Sequence, residues 1–187
     1  MGKRKKVLFI ALPCLIALAC VGGVFAWLSA TGILANSFGI GSVEPVVEET
    51  LSGSVKSNVY LKNQGTTPAY LRANVDVHWQ DDAGNQLWDE PVENADYAIK
   101  WGSGVSDTAK ENVWVKGSDG FWYWTSPVSP LGGTDQLIDE VSPAGDSEGK
   151  HLVVDISTQG IQSVPDAAVR DAWNCTVSDG VLTPPLR

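Results

Sequence analysis

Apolar and polar side chains alternate along residues 70–79, and this is the clearest pattern in the chain. A period of two that is sustained over ten residues predicts a half-buried strand of an antiparallel sheet. The predicted core face consists of Leu71, Ala73, Val75, Val77 and Trp79. The predicted opposite face consists of Tyr70, Arg72, Asn74, Asp76 and His78.

Two further segments, residues 54–61 and 151–156, alternate in the same way and are bounded by turn-forming residues. Their predicted inward-facing side chains are Val55, Val59 and Leu61 in the first segment and Leu152, Val154 and Ile156 in the second. In the first segment Lys56, Asn58 and Tyr60 are predicted to face the other way. Short strands at this spacing predict a mainly β fold, an antiparallel β-sandwich of the jelly-roll or immunoglobulin-like kind.

Residues 113–116 and 121–125 flank the turn sequence of residues 117–120 (GSDG), which predicts a β-hairpin. A four-residue loop places Lys116 opposite Phe121 and Trp114 opposite Tyr123. One face of the hairpin is then wholly apolar, consisting of Val113, Val115, Trp122 and Trp124.

The other face of this hairpin carries Trp114, Phe121 and Tyr123, a candidate exposed aromatic patch. Such a patch binds a neighbouring subunit or a sugar ring if it is open to solvent. A second layer covers it instead if the short helix predicted over residues 165–173 packs there. The sequence leaves both arrangements open.

The N-terminus has the layout of an export signal. Four basic residues at positions 3–6 precede an apolar stretch over residues 7–21, and Val24 and Ala26 are suited to the −3 and −1 positions of a cleavage site. We therefore predict a signal peptide over residues 1–26 and an extracytoplasmic β-sandwich domain over residues 27–187, which begins at Trp27. The alternative is an uncleaved anchor, because residues 7–28 form a helix of about 33 Å, long enough to span a bilayer.

The charge balance narrows the class of partner. The chain has 13 basic and 22 acidic residues, a net charge of −9, and four of the basic residues lie in the predicted leader. The part after the leader is therefore strongly acidic, which argues against nucleic acid as a partner and is typical of a secreted protein. Cys14 and Cys20 also lie in the leader, so Cys175 has no partner for an internal disulfide after cleavage.

Residues suited to catalysis or to metal binding are sparse. The two histidines, His78 and His151, lie on predicted strands and do not form the His-Glu-x-x-His pattern of a zinc peptidase. Asp81, Asp82 and Asn85 are oxygen donors, but their spacing predicts a plain turn, not a calcium loop. We predict that the chain is not an enzyme and that it has no cofactor and no metal site.

Residues 22–29 (GGVFAWLS) resemble the cleavage junction of SipW-dependent signal peptides. Residues 36–43, 62–72, 119–124 and 154–173 resemble later blocks of the same group. On these segments the chain is similar to the TasA–camelysin family of secreted biofilm-matrix and fibre-related proteins of Gram-positive bacteria. The resemblance implies a SipW-like signal peptidase as a partner, a jelly-roll domain and assembly into extracellular fibres.

Residues 36–43 (NSFGIGSV) form a candidate assembly strand. Phe38 and Ile40 project from one face of an extended segment and Val43 follows them, while the glycines between let another backbone approach. The strand either pairs within its own chain or adds to the open sheet edge of another subunit.

We therefore expect a secreted or cell-surface structural or interaction protein, tethered to the membrane before cleavage, that self-associates or joins a related matrix subunit. The alternatives are a monomeric adhesin or glycan-binding module that uses the hairpin aromatics and, third, a camelysin-like metallopeptidase.

Overall fold

The computed structural model describes residues 41–53, 55–144 and 149–185. This part of the chain contains ten strands and one short helix, joined by turns and loops. These residues belong to the compact unit Gly41–Arg187. The strands are β1 Pro45–Ser52, β2 Val55–Asn63, β3 Ala69–Gln80, β4 Tyr97–Trp101, β5 Trp114–Lys116, β6 Trp122–Trp124, β7 Ile138–Pro143, β8 His151–Gln162, β9 Thr176–Ser178 and β10 Val181–Thr183. The helix, α1, is Ala167–Trp173. No helix in the described part has the length and apolar character needed to cross a membrane.

The strands form two four-stranded antiparallel sheets and a small hairpin. The first sheet has the order β1-β2-β7-β4, the second has the order β5-β6-β3-β8, and β9 pairs with β10. Strands β3 and β8 pair along their whole length, from Ala69 opposite Gln162 to Gln80 opposite His151. The prediction of a mainly β, antiparallel fold is confirmed, and the arrangement is consistent with a β-sandwich.

Both four-stranded sheets contribute to one apolar cluster, which we call the inner core. Its buried members from the first sheet include Val59, Leu61, Tyr97, Ile138 and Val141, and those from the second include Leu71, Ala73, Trp114, Trp122, Trp124 and Val154. Val75, Val77, Leu152 and Ile156 are partly buried and pack against it. The inward faces predicted for β3 and β8 are therefore confirmed.

The face predicted for the start of β2 is wrong because the strand contains a β-bulge. Val59 and Leu61 are buried as expected, but Asn58 has a φ of 55° and the register with β1 shifts at this point. The extra residue inverts the alternation before it. Lys56 now pairs with the core residue Val141, so Lys56 occupies the inward position that the alternation assigned to Val55.

The predicted register of the β5–β6 hairpin is also wrong. Trp114 pairs with Trp124 and Lys116 pairs with Trp122, so the loop spans five residues, 117–121, not four. The amide of Gly117 donates to the carbonyl of Phe121 at 2.8 Å and closes this loop. Because a shift of one residue exchanges the two faces of one strand relative to the other, Trp114 joins Trp122 and Trp124 in the inner core.

A second apolar cluster, the outer core, lies on the opposite face of the β5-β6-β3-β8 sheet. Helix α1 and the β9–β10 hairpin cover part of that face, and the buried members are Tyr70, Tyr123, Val169, Trp173, Cys175 and Leu182. Tyr70, predicted on the polar face of β3, is only 1% exposed and donates a hydrogen bond to the carbonyl of Gly180 at 2.9 Å. The predicted helix is confirmed, although it begins at Ala167 and not at Pro165.

Candidate functional site

The most exposed large apolar side chain of the described residues is Trp88, whose relative exposure is 101%. Trp88 lies in residues 87–93, which we call the Trp88 loop, between strands β3 and β4. Val92 of the same loop is 58% exposed. Neither exposure was predicted from the sequence, because large apolar side chains in a mainly β domain are expected in the core.

A tightly hydrogen-bonded turn fixes the start of the Trp88 loop. The Asp81 carboxylate accepts bonds from the backbone amides of Ala83 and Asn85 at 2.9 and 2.8 Å and from the Asn85 side chain at 3.0 Å. The Asn85 side chain is the main reason that the pKa of Asp81 lies below its usual range. The turn predicted for residues 81–85 is confirmed. The amide of Leu87 then donates to the carbonyl of Trp79 at 2.8 Å, which ties the loop to the end of β3.

The middle and the end of the loop are fixed as well. Asp89 forms an ion pair of 2.7 Å with Lys150, which stands beside the start of β8, and this contact lowers the pKa of Asp89. At the end of the loop, the amide of Val92 donates to the Asp96 carboxylate at 2.8 Å, and the carbonyl of Val92 accepts from the amide of Asp96 at 2.8 Å. The fold therefore holds Trp88 in solvent on a braced loop.

The sequence left two arrangements open for the candidate aromatic patch, and the one in which it is exposed to solvent is wrong. Trp114 is 0% exposed in the inner core, where its indole Nε1 donates to the carbonyl of Asp135 at 2.9 Å. Tyr123 is 0% exposed in the outer core and makes an edge contact with Trp173 at 5.8 Å between ring centroids. Phe121 is partly buried against the same cluster. The alternative, in which the helix predicted over residues 165–173 covers these aromatic rings, holds for Tyr123 and Phe121.

A charged residue, Arg72, anchors the outer core. Its guanidinium lies 4.0 Å from the ring centroid of Phe121 and 4.7 Å from that of Trp173, distances typical of cation–π contacts. It also donates to Gln159 Oε1 at 2.9 and 2.6 Å and to the Tyr123 hydroxyl at 2.8 Å. Its charge is further balanced by Asp119, 3.4 Å away. The arrangement joins β3, β6, β8 and α1 and acts as a structural clamp.

Two titratable groups beside Arg72 are held in their neutral forms. Burial raises the pKa of the Tyr123 hydroxyl well above its usual value, and a hydrogen bond of 2.6 Å from that hydroxyl to Asp119 adds to the shift. Burial also raises the pKa of the Cys175 thiol from 9.0 to about 11. A thiol that keeps its proton is a poor nucleophile, so Cys175 is suited to packing.

The side chain of Lys56 points inward and contacts the edge strands of both sheets, β1 and β8. Its Nζ donates to the carbonyl of Val154 in β8 at 2.5 Å and pairs with Glu49 in β1 at 2.9 Å. The side chain is only 14% exposed. Because Lys56 belongs to β2, this single side chain connects the two four-stranded sheets.

Of the candidate assembly strand, residues 36–43, the structure describes residues 41–43, which include Val43. Val43 packs against the inner core, close to Gly160 of β8. Its neighbours pair within the chain, since the carbonyls of Ser42 and Glu44 accept bonds from the amides of Thr66 and Gln64. Phe38, Ile40 and the predicted cleavage site at Ala26 and Trp27 lie outside the described residues.

The two histidines bind separate carboxylates. His78 Nδ1 lies 2.9 Å from Asp76 Oδ2, and His151 Nε2 lies 2.8 Å from Asp82 Oδ1. His78 is buried, although it was predicted on the polar face of β3. Within the described ranges, no group of three or more His, Cys, Asp or Glu side chains could hold a metal ion.

Comparison with known proteins gives no further assignment. No family model, no curated protein and no solved structure matches this chain.

Proposed function

We propose that this chain is a secreted structural or interaction protein, a subunit or accessory of an extracellular matrix or fibre, whose subunits associate through β-strand contacts. The export signal predicted over residues 1–26, the acidic charge after it and the resemblance to the TasA–camelysin family support this proposal. It includes a jelly-roll or immunoglobulin-like sandwich, cleavage after Ala26 by a SipW-like signal peptidase, and location outside the cell or at its surface.

The observation that carries the proposal is that two edge strands, β1 and β8, each have one side without a paired strand among the described strands. Strands β1 and β8 are terminal in their sheets, so each has a hydrogen-bonded strand neighbour on one side only among the described strands. Strand β8 is 12 residues long. A long edge presents a row of backbone donors and acceptors that another strand can pair with. When the incoming strand comes from a second subunit at a different surface, the contact repeats and builds a filament.

In the free subunit, Lys56 opposes the addition of another strand to the edge formed by β8. Inward-pointing charges are one of the devices by which natural sheets resist edge-to-edge pairing. By donating to the carbonyl of Val154, Lys56 occupies an acceptor in β8. An incoming strand that pairs along β8 at this point has to displace it, so Lys56 sets the concentration at which subunits associate.

Sedimentation of the purified chain over a range of concentrations, together with electron microscopy, tests the proposal. We expect assembly that increases with concentration. Because Lys56→Met removes the inward-pointing charge, we expect this variant to assemble at about tenfold lower concentration. Lys62→Met is the matched control, since Lys62 lies on the same strand and also pairs with a glutamate of β1, Glu48, at 3.2 Å. A chain that stays monomeric at every concentration, with or without Lys56, contradicts the proposal.

A second candidate function is a monomeric surface binding module. This alternative was predicted from the hairpin aromatics, but two of them, Trp114 and Tyr123, are fully buried. Trp88 now supports it instead, because a fully exposed aromatic ring on a braced loop is suited to binding. A chain that remains monomeric but binds a ligand through Trp88 favours this candidate.

A further inference from the structure

We infer that the Trp88 loop is a docking surface for a protein partner that presents an apolar face flanked by lysine or arginine side chains. The exposed indole of Trp88 and the exposed side chain of Val92 provide the apolar contact. Tryptophan is among the residues that contribute most binding energy to protein interfaces, because one ring buries a large area at little cost in conformational entropy. The inference is independent of the strand-edge association proposed above.

The loop is organised before a partner arrives. The Asp81 turn and the bond from Leu87 to Trp79 fix its start, the ion pair with Lys150 holds its middle, and the Asp96 carboxylate fixes its end. A binding loop that already has its bound conformation loses less entropy on association. This bracing distinguishes Trp88 from an exposed residue at a loosely held loop tip.

The charge around the loop defines the partner. Asp89, Glu90 and Glu93 belong to the loop itself, and Asp81 and Asp82 belong to the adjacent turn. Lys150 pairs with Asp89 and His151 lies against Asp82, so the excess of negative charge comes from Asp81, Glu90 and Glu93. Complementary charge increases both the rate and the specificity of association, so a cationic partner fits this surface. The face of the indole ring also attracts guanidinium and ammonium groups.

The same charge argues against a second copy of this chain as the occupant. The chain carries a net charge of −9, so another copy brings acidic surface to an acidic loop. We therefore assign the surface to a different, cationic protein.

The test uses two synthetic amphipathic peptides of equal length, about 14 residues or four helical turns, one composed of leucine and lysine and the other of leucine and glutamate. Calorimetric titration of the purified chain is expected to detect binding of the lysine peptide only, with an affinity that falls as ionic strength rises. We expect Trp88→Ala to weaken this binding about tenfold. Leu131→Ala is the matched control, because Leu131 is an exposed apolar residue outside the loop, at 80% exposure.

Three results overturn the inference. The first is equal binding of the lysine peptide by the Trp88→Ala variant, and the second is failure of the chain to prefer the lysine peptide over the glutamate peptide. The third is Trp88-dependent binding of a soluble oligosaccharide by a chain that ignores both peptides, which makes the surface a sugar platform. Because Trp88 is fully exposed, its replacement is expected to leave the fold intact, and circular dichroism of each variant checks this.

Discussion

The inner and outer cores lie on opposite faces of the same sheet, yet they are held together differently. The inner core consists mainly of aliphatic side chains and tryptophans, which both sheets contribute. The outer core is smaller, and Arg72 and Asp119 at its rim are linked to the buried hydroxyl of Tyr123. Packing volume therefore determines the stability of the inner core, whereas hydrogen bonding and protonation contribute to that of the outer core.

The largest effect is expected from a cavity in the inner core. Trp114→Ala removes a fully buried indole and leaves the carbonyl of Asp135 without its donor. We expect the free energy of unfolding to fall by about 3–5 kcal/mol, measured by urea denaturation. Trp88→Ala removes the same side chain from solvent and is expected to change stability by less than about 0.5 kcal/mol. Equal losses in the two variants contradict the assignment of Trp114 to the core.

Alternation was enough to predict the inner core on β3 and β8, because both faces of a long, regular strand follow from a period of two. It failed where one residue was added. The bulge at Asn58 turned Lys56 inward, and a five-residue loop at 117–121 exchanged the faces of the β5–β6 hairpin. Neither irregularity changes the composition of the segment, so the hydrophobic pattern alone cannot locate it.

The outer core was predicted only as one of two alternatives, and the β9–β10 hairpin, which covers part of it, was not predicted because it comes from the far end of the chain. Strands β9 and β10 turn at Asp179 and Gly180, which both have positive φ. An Asp-Gly pair between apolar residues is a recognised hairpin signal and could have revealed them. Trp88 had no such signal, because its exposure depends on how the Asp81 turn and Lys150 hold the loop.

Matched substitutions on β3 sharpen the difference between the two faces of the sheet. Val75 packs against the inner core, while Asn74 is on the opposite face. Val75→Asp places a carboxylate among apolar side chains, and we expect a loss of about 2–3 kcal/mol in the free energy of unfolding. Asn74→Asp is expected to be almost silent. If urea denaturation gives the two variants similar losses, the face assignment of β3 is incorrect.

A smaller loss is expected from the clamp of the outer core. Arg72→Met keeps an apolar chain between Phe121 and Trp173 but removes the bonds to Gln159 and Tyr123, and we expect a loss of about 2 kcal/mol. Arg72→Lys keeps the charge without the planar fork and is expected to lose about 1 kcal/mol. Thermal or urea unfolding measures both variants.

Arg170→Met is the control for this pair. Arg170 lies on α1 and forms only an exposed pair with Asp171 at 3.4 Å, so its loss is expected to be under about 0.5 kcal/mol. A loss at Arg170 as large as that at Arg72 means that the general charge of the surface, and not the clamp, holds the outer core.

The smallest effect concerns protonation in the outer core. Burial raises the pKa of Cys175 to about 11, whereas the unfolded chain ionises this thiol near 9.0. The folded state therefore binds more protons between these values, and the stability that the neutral thiol contributes is complete below pH 9 and is lost as pH rises towards 11. Tyr123 has a raised pKa as well, but its unfolded form ionises near 10, so its contribution changes only at higher pH.

Under reducing conditions, we expect the chain to lose about 1 kcal/mol more stability between pH 8 and pH 10 than the Cys175→Ala variant. Urea denaturation of both proteins at both pH values measures these changes. The packing that the variant loses is the same at the two pH values, so it does not affect the comparison. Parallel pH dependence of the two proteins means that the thiol ionises as easily in the folded state as in the unfolded one, and that α1 and the β9–β10 hairpin do not keep water from it.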